Sequence, residues 1–418
     1  MTYRRVLAGL AVSALAILPA PAFATDGYFL NGMGSKAKGA GGVALAMPED
    51  AVAMAANPAV ATELGTRLDI GAEIFIPRRG ADIEGNGAGL NGAWSGNGAN
   101  PFVLPELGYV RPLSDNLAAG VVITGNGGMN TSYTENPFAR FGATGPAGVN
   151  LRQIFITPTL AARLGGPHSL GISPIFLIQS FEMRGIQPFT MASRAPAKMT
   201  NKGEDWATGA GLRLGYFGRF GDRLSIGAFY QTKTWAQRFA KYEGLFAERG
   251  GFDVPSSWGL GISFTATDRL SLGADYKRIN YAGVKSVGTP LAPLFQNIPF
   301  GADAGPGFGW RNINVVKFGA AYQLSPTLRL RAGYGRSDNP VPASQTFLNI
   351  LAPGVVTDHF TAGTTVKLFP KVELTGYVMH APRKTVVGQG SIPMPYGGGE
   401  ADIHLAETAT GIALGFTF

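Results

Sequence analysis

The 418-residue chain contains no cysteine, and this absence excludes disulfide bonds and thiolate metal sites. Histidine is scarce too, and none of the four residues stands at metal-ligand spacing from another: His168, His359, His380 and His404. No serine occupies a Gly-x-Ser-x-Gly nucleophile elbow. The net charge of +8 is scattered, without the basic block or aromatic spacing typical of nucleic-acid binding. The sequence therefore predicts no enzyme, no metal, no cofactor and no nucleic-acid partner.

Long apolar runs are lacking as well, except near the N-terminus. Arg4 and Arg5 precede an apolar stretch over residues 6–18, and residues 22–24 (Ala-Phe-Ala) form a small-residue cleavage site. We expect residues 1–24 to be a signal peptide, with Thr25 as the first residue of the exported chain. No later segment approaches the roughly 20 apolar residues of a membrane-spanning helix. A membrane protein without such helices has to be a closed β-barrel, because backbone groups in lipid need internal partners.

Connections of two lengths alternate from residue 66 to residue 418. Six tight turns lie at residues 112–116, 165–168, 220–223, 265–268, 324–326 and 369–370. Between them are seven long loops rich in Gly, Pro and Asn, centred near residues 89, 142, 196, 243, 290, 341 and 390. Short turns on one side and long loops on the other are typical of outer-membrane barrels. A propeller with blades of about 50 residues would share the spacing, but it explains neither the alternation nor the export signal.

These thirteen connections predict an all-β fold, a 14-stranded antiparallel transmembrane β-barrel over residues 66–418 in the outer membrane of a Gram-negative bacterium. The strands show the required alternation. Trp258, Leu260, Ile262 and Phe264 share one face of a strand, with small residues between them. The last strand carries apolar residues at 412, 414, 416 and 418, a pattern that resembles the signal read by the outer-membrane insertion machinery.

Residues 25–65 lack strand alternation and are rich in Gly, Ala and Met. Pro48, followed by two acids, predicts a helix start, and Asn57 predicts the cap of a second short helix with Pro58 at its first position. This second helix should end at Gly65. A helical unit of this size is too small to fold alone. We therefore expect it to sit inside the barrel as a plug.

Several motifs together resemble the FadL/TodX family of outer-membrane transporters of hydrophobic compounds. The most specific is Asn57-Pro58-Ala59. The others are Gly27-Tyr28-Phe29-Leu30-Asn31, the small-residue run at 39–46, Glu49-Asp50-Ala51, the turn at 112–116, the strand at 123–127, Asp338-Asn339-Pro340-Val341-Pro342 and the closing strand. The resemblance spans essentially the whole exported chain, although the loops match poorly.

The resemblance implies a monomeric barrel plugged by an N-terminal hatch. It implies that long-chain fatty acids or aromatic hydrocarbons bind from outside and leave sideways, through a gap made by an inward kink in the third strand. Gly125-Asn126-Gly127-Gly128 lies in that strand, and glycine permits a bend there, so we predict the kink and lateral gate at these residues. This stretch contains more glycine than we expect for the third strand of a FadL/TodX protein.

The resemblance also places the start of the hatch at the bottom of the ligand pocket. Tyr28, Phe29 and Leu30 are therefore predicted to bind ligand, with plain packing against the barrel wall as the alternative. Five cations are candidates for binding a ligand carboxylate inside the lumen: Arg184, Lys277, Lys317, Arg329 and Arg331. The alternative is that they pair with acidic residues of the hatch or of facing strands.

The predicted function is passive uptake of hydrophobic small molecules, such as long-chain fatty acids, without a chemical step. The expected partners are this ligand, outer-membrane lipid and lipopolysaccharide, and the insertion machinery during assembly. Two alternatives stay open. One is a general diffusion porin for polar solutes, against which a plug argues. The other is an adhesin-like structural barrel whose loops bind partners.

Overall fold

A computed structural model describes residues 26–418, and the predicted signal peptide lies outside the described residues. Fourteen long strands in this range pair antiparallel with their neighbours, and the last pairs with the first, which closes a barrel. The bounds are β1 (Arg67–Glu84), β2 (Gly92–Ser95), β3 (Phe102–Ser114), β4 (Leu117–Asn130), β5 (Gly148–Gly165), β6 (His168–Arg184), β7 (Asp205–Phe220), β8 (Leu224–Gln231), β9 (Trp235–Ala236), β10 (Ser257–Thr267), β11 (Leu270–Ile279), β12 (Ile313–Ser325), β13 (Leu328–Ser337), β14 (Asp358–Phe369), β15 (Val372–Val386) and β16 (Glu400–Thr417). The short strands β2 and β9 pair antiparallel with the loop ends of β1 and β7.

The predicted rhythm of connections is confirmed. All six tight turns join neighbouring barrel strands, and all seven long segments are loops on the opposite side. The loops carry short helical segments: Ala139–Phe141, Gln187–Ala192, Pro196–Lys198, Ala240–Tyr242, Ala247–Gly250, Tyr281–Gly283, Lys285–Gly288, Ala292–Gln296, Ala343–Gln345, Thr346–Asn349 and Met394–Tyr396. None of the helices among residues 26–418 is long and apolar enough to cross a membrane.

The outer face of the barrel is apolar, as the alternation predicted. In β10, Trp258, Leu260, Ile262 and Phe264 are exposed on the outside, whereas the residues between them face the lumen. Large apolar side chains are exposed in the same way on the neighbouring strands. Charged groups are instead buried on the inner face. This arrangement suits a barrel that has lipid around it.

Residues 26–65 form one helical turn, α1 (Ser35–Gly39), and two 3-10 helices, Ala51–Ala55 and Pro58–Glu63. The predicted cap at Asn57 is confirmed, since its Oδ1 accepts a hydrogen bond from the Ala59 N–H at 3.1 Å. The preceding helix begins later than Pro48. Asp50 is its cap and accepts from the Ala53 N–H at 3.0 Å, so the helix starts at Ala51.

This N-terminal segment packs against the inner wall around most of the barrel. It touches strand glycines at which an added Cβ would lie within about 3 Å of the segment: Gly108, Gly120, Gly171, Gly215, Gly227, Gly261, Gly273, Gly319, Gly333 and Gly363. They belong to strands from β3 round to β14. Small residues in the segment therefore meet small residues in the wall, and close backbone approach accounts for part of the high glycine content.

Candidate functional site

The segment from Tyr28 to Leu30 lies alongside β4, the third barrel strand. The Gly128 N–H donates to the Tyr28 carbonyl at 2.9 Å, and the Leu30 N–H donates to the Asn126 carbonyl at 3.3 Å. Gly127 has φ +149°, and a Cβ there would collide with the Tyr28 carbonyl oxygen. Glycine is therefore required at this position both for the backbone angle and for the close approach.

β4 is irregular in the same place. Its register against β5 shifts between Gly125 and Gly127, which is a β-bulge. Its ladder with β3 ends at the pair Glu106–Thr124. Beyond this pair, β4 no longer pairs with β3: its residues 125–130 pair with β5 and, at Gly127, with Phe29 of the N-terminal segment, while residues 102–105 of β3 pair with β1. We call this interrupted stretch between β3 and β4 the seam.

An aromatic cluster surrounds the start of the N-terminal segment. Tyr28 and Tyr281 have ring centroids 5.1 Å apart, and Tyr281 and Trp310 are also separated by 5.1 Å. Phe29 lies 5.7 Å from Tyr281. The Tyr281 hydroxyl donates to the Asp26 carbonyl and accepts from the Tyr28 N–H at 3.1 Å. Tyr28, Phe29 and Leu30 are all buried, so each candidate ligand residue is inside the barrel.

A cavity lies on the lumen side of Phe29 and Leu30. One part of its wall is apolar and includes Met33, Leu45 and Phe229. The other part is strongly basic. It carries Arg213, Lys277 and Lys317, together with Gln231, Asn126 and Asp275. We call this space the lumen cavity, and it joins an apolar surface to three cations from three different strands.

Two of the three cations share one carboxylate of the N-terminal segment. The Nζ of Lys317 lies 3.1 Å from Asp26 Oδ2, and that of Lys277 lies 3.8 Å from the same atom. Burial alone would raise the pKa of Asp26, but the two lysines hold it below its usual value. Lys277 also lies 5.1 Å above the Phe29 ring. Both lysines were predicted to face the lumen, and both do.

Arg213 is the cation that the sequence reasoning missed. It is buried on the inner face of β7 and donates one hydrogen bond to Gln231 Oε1. Its Nε and Nη1 have no hydrogen-bond partner among the described residues. No carboxylate of residues 26–418 lies within 4 Å of its guanidinium. The sequence did contain a signal for this residue. Side chains alternate along a strand, so if Leu212 and Leu214 face the lipid, Arg213 between them faces the lumen.

The remaining candidate cations do not reach this cavity. Arg329 and Arg331 bind Glu49 at 2.7 Å and 2.5 Å, as the alternative of pairing with the hatch predicted. Arg184 stands at the loop end of β6, where its side chain is 42% exposed and lies 3.8 Å from Glu182. Among residues 26–418, no group of three or more His, Cys, Asp and Glu side chains is arranged to hold a metal ion.

Comparison with known proteins agrees with this architecture. A family model described as outer membrane protein transport protein (OMPP1/FadL/TodX) matches residues 11–417. A long-chain fatty acid transport protein of Escherichia coli O6:H1 is 24% identical over 367 residues, which cover 78% of this chain and 80% of that protein. A solved Pseudomonas aeruginosa FadL homologue shares the fold with a TM-score of 0.71 and 16% identity, covering 94% of this chain and 100% of its own.

The P. putida toluene transporter TodX gives a TM-score of 0.69 at 16% identity, over 93% of this chain and 99% of that one. At such identities the two structures support the fold, whereas the family match extends over nearly the whole sequence. The chain belongs to the outer membrane protein transport protein family (OMPP1/FadL/TodX).

Proposed function

We propose that this outer-membrane channel for hydrophobic compounds carries amphiphiles with an apolar tail and an anionic head, of which a long-chain fatty acid is the simplest. The observation that carries the proposal is the guanidinium of Arg213, whose Nε and Nη1 have no hydrogen-bond partner among the described residues, beside the apolar surface of Phe29 and Leu30. A buried charge without a partner is costly, and a ligand carboxylate would supply the partner. Charge-assisted, forked hydrogen bonds to guanidinium are among the strongest in proteins.

The surroundings of Arg213 favour an anionic group over a neutral one. Lys277 and Lys317 line the same cavity and have only Asp26 between them as a carboxylate partner within 4 Å in the described chain. Asp275, an acid that lines the cavity, already accepts from the Ala44 and Leu45 N–H groups at 2.8 Å and 3.1 Å. The tail of such a ligand would lie against Phe29, Leu30 and Phe229. An unsubstituted hydrocarbon would leave Arg213 without a charged partner and the two lysines with one carboxylate between them.

The N-terminal segment is proposed to act as the hatch of this channel, with bounds 25–65, and residues 66–418 as its barrel. Contacts from β3 round to β14 support a segment that blocks the lumen. The bulge at Gly125–Gly127 and the interrupted ladder support a lateral gate at residues 125–128. A ligand leaving there would enter the lipid without crossing the rest of the lumen. A filled lumen disfavours an open diffusion porin.

The protein is proposed to act as a monomer without a cofactor or a chemical step, since the family consists of transport proteins. Lipopolysaccharide and outer-membrane lipid are the expected surroundings of its apolar outer face. The insertion machinery is the expected partner during assembly.

The test compares a carboxylate with its uncharged ester. Binding of dodecanoate and methyl dodecanoate to the purified barrel would be measured by calorimetry for the wild type and for Arg213→Met. Loss of a charge-assisted contact should weaken dodecanoate binding by about tenfold or more and leave the ester nearly unchanged. Arg336→Met is the matched control, because the Arg336 side chain is 68% exposed and outside the cavity. Equal affinities of the wild type and Arg213→Met for dodecanoate would contradict the proposal.

A further inference from the structure

The seam between β3 and β4 is bounded on both sides. Below it, the ladder resumes at the pair Glu106–Thr124. Above it, the loop after β2 bonds to the chain that follows β4, since the Gly98 N–H donates to the Ser132 carbonyl at 3.0 Å and the Ser132 N–H donates to the Gly96 carbonyl at 2.9 Å. The seam is therefore a window of a few residues in the wall. A side chain that forms hydrogen bonds across this window would therefore hold it closed.

Arg79 bridges it. This residue is buried in β1, two strands away from β4. Its Nε donates to the Asn130 carbonyl at 2.5 Å and its Nη2 donates to Asn130 Oδ1 at 2.7 Å. Its Nη1 donates to Asn100 Oδ1 at 2.8 Å and to the Pro77 carbonyl at 3.0 Å. The guanidinium thus joins β1, the loop before β3 and the end of β4, and we call this set of bonds the clasp.

All acceptors of the clasp are neutral. Within residues 26–418, no carboxylate lies within 4 Å of the Arg79 guanidinium, which is an unusual state for a buried arginine. Four of its five N–H groups are used, so one donor remains available. Below the guanidinium lies Phe102, whose ring centroid is 5.5 Å away.

The clasp also forms part of a second cavity, distinct from the lumen cavity. Arg79 and Asn130 line it together with apolar residues that include Phe75, Met129, Leu405 and Trp310. Gly27 and Gly128 form another part of the wall, so the N-terminal segment and β4 meet here as they do on the lumen side. We call this space the seam cavity. The seam cavity and the lumen cavity share no lining residue.

We propose that the seam cavity is a second binding site for an anionic amphiphile, and that the ligand opens the seam by taking the Arg79 guanidinium from Asn130 and Asn100. A carboxylate competes well with two amides, because its hydrogen bonds to guanidinium are roughly twice as strong as those of neutral acceptors. Once Asn130 is released, the hydrogen bonds that hold the end of β4 to the loop within residues 26–418 are the backbone bonds at Ser132. The inference rests on the proposed lateral exit and makes that exit selective for charged ligands.

One acid of the protein shares the seam cavity. Glu407 lines it, and its Oε2 lies 3.8 Å from Nε2 of His359. Neither carboxylate oxygen of Glu407 has a hydrogen-bond partner among the described residues. Because a carboxyl group buried without a partner favours its neutral form, Glu407 sets no charge against an entering anion.

The experiment uses the full exported chain, whose lack of cysteine permits site-specific spin labelling. Nitroxides at Val103 of β3 and Ile154 of β5 report on the seam from its two outer sides, because Ile154 pairs with Gly125 of β4. Their distance distribution would be measured in lipid nanodiscs with dodecanoate or methyl dodecanoate. Uptake of the two compounds into proteoliposomes would be measured for the same variants.

In the wild type, dodecanoate should shift the distribution to longer distances and the ester should not. Arg79→Met should show the longer distances without ligand and should lower the preference for dodecanoate over the ester by about tenfold. Glu407→Gln, which keeps a neutral polar group at that position, should leave that preference unchanged. Arg79→Lys keeps the charge but loses the planar set of guanidinium donors. Its distances and its preference should lie between those of the wild type and Arg79→Met. The neighbouring Arg78, which is exposed on the outer face, provides the control Arg78→Met, expected to behave as wild type.

Two results would count against the inference in different ways. If the wild type transports both compounds and Arg79→Met keeps the wild-type distances and preference, the clasp has no role in exit, although the channel stands. If wild-type proteoliposomes take up neither compound above protein-free vesicles, the proposed function fails, and this inference fails with it.

Discussion

At the scale of single residues, the N-terminal segment is held by polar side chains that each make several contacts. Asn57 is the clearest case. Its Oδ1 caps the helix that starts at Pro58, and its Nδ2 donates to the carbonyls of Leu45 and Tyr216, both at 2.9 Å. It therefore connects two parts of the segment to β7. The sequence indicated the cap, but it could not indicate the two longer-range bonds, because these depend on the barrel wall.

Substitution of Asn57 should consequently cost more than a lost cap, which alone contributes about 1 kcal/mol. Asn57→Ala removes three hydrogen bonds to backbone groups and should destabilise the segment by roughly 2–4 kcal/mol. Asn57→Ser keeps a cap acceptor and loses only the two donors, so its effect should be smaller. The measurement is the denaturant dependence of labelling of a single cysteine placed at the buried Ala53. Equal labelling of Asn57→Ala and wild type would show that these bonds do not hold the segment.

Asp50 should make the segment sensitive to pH. Burial, followed by the neighbouring Asp69 carboxylate, raises the pKa of Asp50 to about 7. In the unfolded chain a carboxyl group of this kind titrates near pH 4. Between about pH 4 and 7 the folded segment therefore retains a proton that the unfolded segment has lost, and its stability falls as pH rises, by up to roughly 1.4 kcal/mol per pH unit.

Asp50→Asn should remove this dependence while it keeps an acceptor for the Ala53 N–H. Labelling of the cysteine at Ala53 would be compared in the two backgrounds at each pH, which cancels the titration of the thiol itself. The ratio of wild-type to Asp50→Asn labelling should rise from pH 5 to pH 7 and level off above it. A ratio that stays constant over this range would mean that Asp50 is ionised throughout.

At the scale of elements, the strands carry two kinds of glycine. Some line the lumen where the N-terminal segment needs space, and others have no such neighbour. A Cβ at Gly227 in β8 would collide with the Leu45 carbonyl, whereas at Gly376 in β15 the nearest atom would be 3.9 Å away. The sequence does not distinguish these two kinds, because the difference arises from what crosses the lumen and not from the strand itself.

Gly227→Ala should therefore displace the N-terminal segment, and Gly376→Ala should not. Lys36 and Lys38 in the segment are buried, so trypsin cannot reach them until the segment leaves the wall. Limited proteolysis of the folded barrel should cut Gly227→Ala at these lysines much faster than the wild type or Gly376→Ala. The same cleavage rate in all three proteins would show that the wall yields to the extra methyl group.

The third barrel strand offers a matched pair of glycines. Gly127 has φ +149° and touches the Tyr28 carbonyl, while a Cβ at Gly125 would meet its nearest atom at 3.7 Å. Gly127→Ala should thus remove the bulge and the contact with the segment, and Gly125→Ala should preserve both. If the seam is the exit, dodecanoate uptake should fall severalfold in the first variant only, in line with the loss of a backbone position that needs glycine. Uptake that is unchanged in Gly127→Ala would place the exit elsewhere.

At the scale of the whole molecule, the barrel was predictable and the pairing of charges was not. Fourteen strands follow from alternation and from the lengths of the connections, which are local properties of the sequence. The pairs Lys317–Asp26 and Arg331–Glu49 join residues far apart in the chain, so no spacing indicates them. Arg213 was missed for the same reason, because its importance lies in the absence of a carboxylate within 4 Å in the described part of the protein.

The charge pairs between the N-terminal segment and the barrel wall lead to a prediction about the whole lumen. Deletion of residues 25–60 removes Asp26 and Glu49, together with the two buried lysines of α1. The fourteen strands form a closed ladder with one another, so the barrel should still fold and should still change its mobility on gels when heated. Its lumen would then be open and lined by charged groups that take up water. Single-channel conductance in planar bilayers should rise well above that of the full chain. A deletion variant that is heat-modifiable but conducts no more than the full chain would show that residues 26–65 do not close the channel.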